Sequence, residues 1–99
     1  MMISASPMYG ATQAIAVTAT SGSVTLTAKP TSQLLITNAG TTVCFIKILA
    51  AAGAATHTVD LPSLGGTQIL INKVEADRIV SAVTESGTTT IYVTPMFGA

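Results

Sequence analysis

The side chains that could carry chemistry are few: the chain holds one histidine, His57, and one cysteine, Cys44. A Ser-His-Asp arrangement could be assembled from His57, Asp60 and any of several serines, but no nucleophile-elbow motif selects a serine. A tetrahedral zinc site needs four ligands, and Asp60 is the only carboxylate close to His57 in the sequence. The sequence therefore predicts neither a hydrolase triad nor a metal site.

Three other candidates are better interpreted as structural. Glu75 and Asp77 could form a paired-carboxylate site, but the surrounding segment mixes both signs of charge, which is typical of a solvated turn. Gly65-Gly66 lacks the Lys-Ser and the strand-to-helix setting of a phosphate loop, so we interpret it as a turn. Cys44 lies in an apolar stretch, where a thiol has a raised pKa and packs as a small hydrophobe. We predict no catalytic residue and no cofactor.

Charged residues are scarce and balanced. Four Lys and Arg offset four Asp and Glu, and charged residues make up 8% of the 99 residues. The basic residues are scattered singly, so they cannot form the cluster that nucleic-acid phosphates require: Lys29, Lys47, Lys73 and Arg78. The N-terminus carries no basic signal region, and the apolar stretch 48–55 is far shorter than the ~18 residues of a membrane span. We expect synthesis in the cytoplasm, with neither nucleic acid nor membrane as partner.

Thr, Val and Ile recur with a period of two along most of the chain. This pattern favours strands, because β-branched side chains fit a pleated surface. Turn residues, among them Asn38 and Pro62, divide the chain into about seven or eight short strands: 13–20, 23–28, 33–38, 42–49, 56–61, 67–73, 78–84 and 88–94. Strands at this spacing predict an all-β fold, a compact antiparallel β-sandwich that is jelly-roll-like or immunoglobulin-like, with extended terminal arms.

Alternation also predicts which side chains face the core. The residues predicted to face inward are Leu34, Ile36, Ile69, Ile71, Ile91 and Val93, and Tyr92 is predicted to face outward. The Ser-Gly pairs at 21–22 and 86–87 each precede a Thr-rich strand. We interpret both as tight hairpin turns in which glycine supplies a positive φ.

The strand 42–49 is apolar on both faces. Its inward residues are Cys44, Ile46 and Ile48, and its outward residues are Val43, Phe45 and Lys47. An outward Phe45 needs a cover, because soluble proteins rarely leave large apolar patches exposed. The cover is either a segment of the same chain or another subunit, and the sequence leaves both alternatives open.

Both ends of the chain are apolar, where terminal residues are usually polar. We expect an N-terminal arm at 1–10, a sandwich domain at 11–95 and a C-terminal tail at 96–99. The apolar residues of the arm and tail are Met1, Met2, Ile3, Met8, Tyr9, Met96 and Phe97. Each end docks either on its own sandwich or on a neighbouring subunit, where Met and aromatic residues are enriched.

Segment 77–95, DRIVSAVTESGTTTIYVTP, resembles the closing hairpin of small β-sandwich virion proteins of tailed bacteriophages, which decorate or cement the capsid. Segment 33–48, QLLITNAGTTVCFIKI, is similar to a second strand pair of these proteins, so the resemblance spans about 21–95. It implies a structural protein at the capsid surface that binds the major capsid protein, or another virion protein, and stabilises the shell. A homo-oligomer, either trimer or dimer, would suit an icosahedral shell.

The hypothesis assigns contacts with the capsid or with sister subunits to Met1, Met2, Ile3, Met8, Tyr9, Val43, Phe45, Tyr92, Met96 and Phe97. A tail, fibre or baseplate component of the virion is an alternative with the same composition. A carbohydrate-binding or adhesion module is another, although such sites use aromatic platforms and the chain has two Tyr, two Phe and no Trp. An enzyme is the class that the residues favour least.

Overall fold

The computed structural model describes residues 5–7, 10–26, 33–51, 53, 55–56, 60–73 and 77–98. These residues contain no helix and form nine β-strands. The strands are β1 (Ala5–Pro7), β2 (Gln13–Val17), β3 (Gly22–Thr25), β4 (Gln33–Asn38), β5 (Cys44–Leu49), β6 (Leu61–Ser63), β7 (Gln68–Asn72), β8 (Ile79–Thr84) and β9 (Thr89–Gly98).

The strands form two antiparallel sheets that enclose a common core. Sheet A has the order β1-β9-β4-β7, with β2 also pairing with β9, and sheet B has the order β3-β8-β5-β6. Because β1 and β2 pair with successive parts of β9, each sheet has four strand positions. The prediction of an all-β, antiparallel β-sandwich is confirmed.

The strand pairing is nested, as in one long hairpin that has been rolled up. β2 pairs with β9, β3 with β8, β4 with β7 and β5 with β6. From β2 onward, every connection except the one between β5 and β6 passes from one sheet to the other. This is the strand order of a jelly roll, the first of the two sandwich types that the sequence predicted.

The core lies between the sheets and takes the inward side chains of both. Leu34 and Ile36 of β4 and Ile91 and Val93 of β9 are fully buried, as alternation predicted. They meet side chains of sheet B that include Cys44, Ile46, Val80 and Ala82. The predicted core residues of β7, Ile69 and Ile71, are only half-buried, because β7 is the edge strand of sheet A.

The predicted strand 56–61 was placed wrongly. The strand at this position is β6, which begins at Leu61 and contains Pro62, a residue that we interpreted as a turn. Proline is tolerated there because β6 is the edge of sheet B and pairs only with β5 among the described strands. Thr56 and Asp60 lie outside the strands, and the Asp60 amide donates to the Thr56 carbonyl at 3.1 Å.

Neither Ser-Gly pair forms a hairpin. β2 and β3 lie in different sheets, and so do β8 and β9, so each pair belongs to a connection that crosses the sandwich. Gly87 has the expected positive φ of 79°, whereas Gly22 is part of β3 and has no positive φ. Turn residues indicate where the chain reverses, but they do not indicate which sheet receives the next strand.

Residues 5–7 of the predicted N-terminal arm and residues 96–98 of the predicted C-terminal tail belong to strands of sheet A. Ala5 pairs with Gly98, and Pro7 pairs with Met96, at the end of the ten-residue strand β9. Met96 is 8% exposed. For these residues the docking partner is the same chain, one of the two alternatives left open by the sequence.

Candidate functional site

The side chains considered for catalysis are not brought together in the described part of the chain. His57 and Glu75 lie outside the described residues. Asp60 Oδ2 accepts a hydrogen bond from the amide of Thr56, four residues earlier in the sequence, at 2.6 Å. Within the described ranges, no three His, Cys, Asp or Glu side chains are close enough to hold a metal ion.

Cys44 lies in the core and is fully buried. Burial raises the pKa of its thiol, and the hydroxyl of Ser63, its partner across the β5–β6 ladder, offsets part of that rise. The Asn38 side-chain nitrogen lies 3.7 Å from Sγ. The thiol is therefore a packing group, as the sequence predicted.

Asn38 ends β4 and links segments of both sheets through its buried side chain. Its Nδ2 donates to the carbonyls of Thr42 and Ser63, each at 2.9 Å. Its Oδ1 accepts from the Gly40 amide at 3.2 Å and from Thr89 Oγ1 at 2.6 Å. Two donors and two acceptor sites are thus used. Sequence reasoning placed this residue at the end of a strand and in the turn that follows, and it missed the network.

Two glycines near Asn38 lie where a side chain has no room. A Cβ at Gly40 would lie 2.1 Å from Thr89 Oγ1, and a Cβ at Gly65 would lie 2.6 to 2.7 Å from backbone atoms of Thr41. Gly66 has a φ of 74° and donates its amide to the Asn38 carbonyl at 2.9 Å. The interpretation of Gly65-Gly66 as a turn is confirmed.

The outer face of sheet B is covered by the chain itself along the inner strand β8. Ser81 and Val83 point outward from β8, yet they are only 0% and 5% exposed. Ser81 Oγ donates to the Gly53 carbonyl at 2.6 Å, so Gly53, which lies between β5 and β6 in the sequence, covers part of this face. Phe45, which pairs with Val83, is half-buried. On this face, the same chain provides cover.

The outer face of sheet A is open by contrast. Tyr92 of β9 is 43% exposed and Leu70 of β7 is 49% exposed. We define the neutral face as the outward side chains Ala14, Ala16, Gln33, Leu35, Thr37, Gln68, Leu70, Asn72, Thr90, Tyr92 and Thr94. None of these side chains is charged.

The amide side chains of the neutral face are held by bonds within the sheet. Gln68 Nε2 donates to Thr37 Oγ1 at 3.0 Å, across the β4–β7 ladder. Gln33 Nε2 donates to Asn72 Oδ1 at 3.1 Å in the same ladder. These bonds fix the positions of long side chains before any partner binds, which lowers the entropy that binding would remove.

The sandwich edge formed by β6 and β7 carries exposed leucines. Leu61, Leu64 and Leu70 are 43%, 62% and 49% exposed, and with Tyr92 they are the exposed large hydrophobic residues of the described chain. Between the sheets at this edge lies a slot of about 270 Å³, which we call the edge slot; its lining includes Ile46, Ile48, Leu61, Ile71, Lys73 and Asp77.

Sequence reasoning missed this edge, although a signal was present. The residues Ile69-Leu70-Ile71 are three consecutive apolar residues in a predicted strand. Such a run must place one large side chain on the outer face. The strand 42–49 has the same pattern, with apolar residues on both faces.

A second groove adjoins the neutral face where β2 ends and β9 begins. It has a volume of about 450 Å³, and its walls include Thr18, Gly40, Thr88, Thr89, Thr90 and Tyr92. We call it the threonine groove. Hydroxyls and methyl groups line it, and no lining residue is charged.

The predicted interface residues fall on separate parts of the molecule. Five of them lie outside the described residues: Met1, Met2, Ile3, Met8 and Tyr9. Tyr92 lies on the neutral face, whereas Phe45 lies on the outer face of sheet B and Val43 is half-buried next to β5. Met96 is buried, and Phe97 pairs with Ser6 in the β1–β9 ladder. Tyr92 and Phe45 therefore lie on opposite sides of the sandwich and cannot form one patch.

Comparisons with protein-family models, curated proteins and solved structures found no match to this chain. Within the described residues, no helix is long and apolar enough to cross a membrane. Any functional assignment therefore depends on the chain's own residues and geometry.

Proposed function

We propose that this chain is a structural virion protein that binds the outer surface of a bacteriophage capsid and stabilises the shell, as a decoration or cement protein. The proposal assigns the capsid contact to the neutral face. The observation that carries it is the contrast between the two sheets: Ser81 and Val83 are buried on the outside of sheet B, while Tyr92 and Leu70 are open on the outside of sheet A.

The strand order supports the proposal without deciding it. Jelly rolls form viral capsid domains, and they also form lectin domains and cupins. Because one fold serves many functions, the strand order does not assign one, and the open face of sheet A carries the proposal. The resemblance of segments 33–48 and 77–95 to capsid-decorating proteins favours the virion among these possibilities.

The neutral face suits stable attachment because burying it desolvates no charge. Each 100 Å² of apolar surface removed from water contributes about 2.5 kcal/mol before association costs are subtracted. Leu35, Leu70 and Tyr92 supply apolar area, and the bonded amides around them offer oriented polar groups. A modest gain at each site is repeated over a whole shell, so many weak contacts together resist its dissociation.

Co-sedimentation with purified capsids that lack this protein tests the proposal. We expect the wild-type chain to pellet with capsids and Tyr92→Lys to bind roughly tenfold more weakly, because the variant places a charge in the buried centre of the contact. Lys47→Ala, an exposed change on the opposite sheet, is the matched control and should bind like wild type. Absence of wild-type binding, or equal loss in both variants, would contradict the assignment. Imaging of tagged protein on tails instead of heads would do the same.

A carbohydrate-binding or adhesion module is the second candidate, favoured by the threonine groove. Its hydroxyls and the adjacent Tyr92 ring match a neutral, hydroxyl-rich ligand. A glycan array provides the test, with Thr88→Val as the variant, because Thr88 lines the groove but is not part of the neutral face. Glycan binding that this change abolishes would favour the module, whereas no signal on the array would remove it.

A further inference from the structure

β7 leaves one backbone edge of sheet A unpaired by any other described strand. It pairs with β4 through the register of Leu35 opposite Leu70, and its other side faces outward at the edge of the sheet. Its sequence, QILIN, contains no charged residue, proline or glycine. Natural proteins block edges with charges, prolines, bulges or very short strands. The neighbouring edge strand β6 has such protection, since it is three residues long and contains Pro62.

Apolar surface flanks this edge on both sheets. Leu70 projects from β7 itself, and Leu61 and Leu64 lie at the two ends of β6. The edge slot opens toward Ile46 and Ile48 between the sheets. An unpaired edge with apolar surface beside it is the arrangement that proteins use to add a strand from a partner.

The residue order of β7 identifies the partner. In an antiparallel pair related by a two-fold axis, each residue faces the residue at the mirrored position of the same strand, so the pair is favoured when mirrored positions carry residue types that pair well. β7 has this property about Leu70: an isoleucine lies on each side of it, and an amide residue lies beyond each isoleucine, in the order Gln68, Ile69, Leu70, Ile71, Asn72.

We propose that β7 pairs with β7 of a second copy of this chain, antiparallel, about a two-fold axis at Leu70. This register places Leu70 opposite Leu70, Ile69 opposite Ile71, and Gln68 opposite Asn72 of the second copy. Amide meets amide and apolar residue meets apolar residue, and no like charges face each other along the strand. The two copies of sheet A then form one continuous sheet.

The β7–β7 contact is small, so the pairing is expected mainly where copies of the chain are already held close together. A five-residue strand pair buries less than the ~800 Å² per partner of a standard stable interface. The free dimer is therefore weak, and the pairing strengthens when copies are held side by side, since the effective concentration there is on the order of millimolar. The proposal rests on the proposed function to this extent: it names the contact that would join neighbouring copies on a shell.

Disulfide crosslinking tests the register. In the proposed pair, the Cα atoms of the two Leu70 residues are about 4.5 to 5.5 Å apart, within the range of a disulfide. Leu70→Cys should form a disulfide-linked dimer under mild oxidation. Gln68→Cys is the matched control: its copies lie roughly 13 Å apart, four residues along the strand, so its dimer yield should be several-fold lower. Native Cys44 is fully buried and does not compete.

Two further measurements complete the test. A mixture of Gln68→Cys with Asn72→Cys should crosslink into a mixed dimer, because these positions face each other. Sedimentation equilibrium should show weaker self-association for Leu70→Lys and no change for Tyr92→Lys, which lies on the same face but in an inner strand. Leu70 is half-exposed, so both of its variants should fold, and circular dichroism verifies this.

Crosslinking of Leu70→Cys no greater than that of Gln68→Cys would overturn the pairing, as would equal loss of self-association in both lysine variants. The crosslinking assay contains no capsid. Crosslinking without capsid binding would therefore support the β7 pairing and reject the virion function. Capsid binding without crosslinking would support the virion function and reject the β7 pairing.

Discussion

Asn38 links the two sheets through buried hydrogen bonds. Its side chain joins the end of β4 to Ser63 of β6 and to Thr89 of β9. We expect Asn38→Ala to lower the free energy of unfolding by about 2 to 4 kcal/mol, because it leaves several buried polar groups without partners. Asn72→Ala, which removes an exposed amide, should change stability by less than about 0.5 kcal/mol.

Urea unfolding followed by circular dichroism measures both variants. Similar midpoints for Asn38→Ala and Asn72→Ala would contradict the role given to the buried network.

Cys44 should make stability fall at alkaline pH. Burial raises the pKa of its thiol, so the folded state holds the proton to a higher pH than the unfolded state does. The resulting stabilisation is complete below the unfolded thiol pKa of about 8.5 and is lost as the pH rises through the folded value. Cys44→Ala lacks this ionisation and is the reference, since other titrating groups are common to both proteins.

The measurement is the urea midpoint of wild type and Cys44→Ala between neutral pH and about pH 10, within the range where the thiol titrates. The difference between the urea midpoints of wild type and Cys44→Ala should become smaller as the pH rises. Parallel curves would show that the thiol ionises equally in both states.

At the residue scale, sequence predicts what depends on local alternation and misses what depends on distant partners. Leu34, Ile36, Ile91 and Val93 were placed in the core because a period of two decides the facing of each strand. The partners of Asn38 could not be found in this way, since Thr89 lies 51 residues away along the chain. Only the folded topology brings the two together.

At the scale of elements, the turn between β6 and β7 depends on two adjacent glycines for different reasons. Gly65 lies against the Thr41 backbone, where a Cβ would lie 2.6 to 2.7 Å away, whereas Gly66 has open space but a φ of 74°. We expect Gly65→Ala to cost about 2 to 3 kcal/mol, because backbone must move. Gly66→Ala should cost about 1 kcal/mol, the strain of a left-handed residue.

Gly22→Ala is the control, since its Cβ would meet only Ile15 Cγ2 at 4.0 Å and its φ is not positive. In thermal unfolding, Gly65→Ala should have the lowest midpoint temperature, Gly66→Ala an intermediate one and Gly22→Ala the highest. A Gly66→Ala variant less stable than Gly65→Ala would mean that backbone strain outweighs the close approach.

The strands were the most predictable elements, and their connections were the least. The predicted strand 33–38 matches β4 at both ends, since alternation and flanking turn residues agree there. The assignment of Pro62 to a turn was wrong, because proline is excluded from inner strands but is tolerated in edge strands such as β6. The sequence does not indicate which strand lies at the edge of a sheet. The prediction that the two Ser-Gly pairs form hairpins was wrong for a related reason. The same turn residues occur in hairpins within one sheet and in connections that cross from one sheet to the other.

For the whole molecule, low charge predicts that capsid attachment is insensitive to salt. The neutral face has no charged side chain, so screening removes little of its binding energy. Raising sodium chloride from about 0.05 to 0.5 M should change the capsid affinity less than about threefold. Sulfate should strengthen attachment, because it favours burial of apolar surface. A steep loss with sodium chloride in the co-sedimentation assay would point instead to contacts through the scattered charged residues.

The sandwich itself was predictable from length, β-branched content and turn spacing, but the choice between jelly-roll-like and immunoglobulin-like was not. That choice depends on pairings such as Ser23 with Ser81, which join residues far apart in sequence. Local periodicity carries no information about such pairs. The open face was also not predictable, because part of the cover on sheet B comes from Gly53, whose position depends on the finished fold.

The position of β9 has a consequence for synthesis. β9 lies inside sheet A, with β4 on one side and β1 and β2 on the other, and it follows every other described strand in the sequence. Until Thr89 and the residues after it leave the ribosome, three strands lack a neighbour, and their open edges favour association with other chains. Sheet A can therefore be completed only after β9 has emerged from the ribosomal exit tunnel.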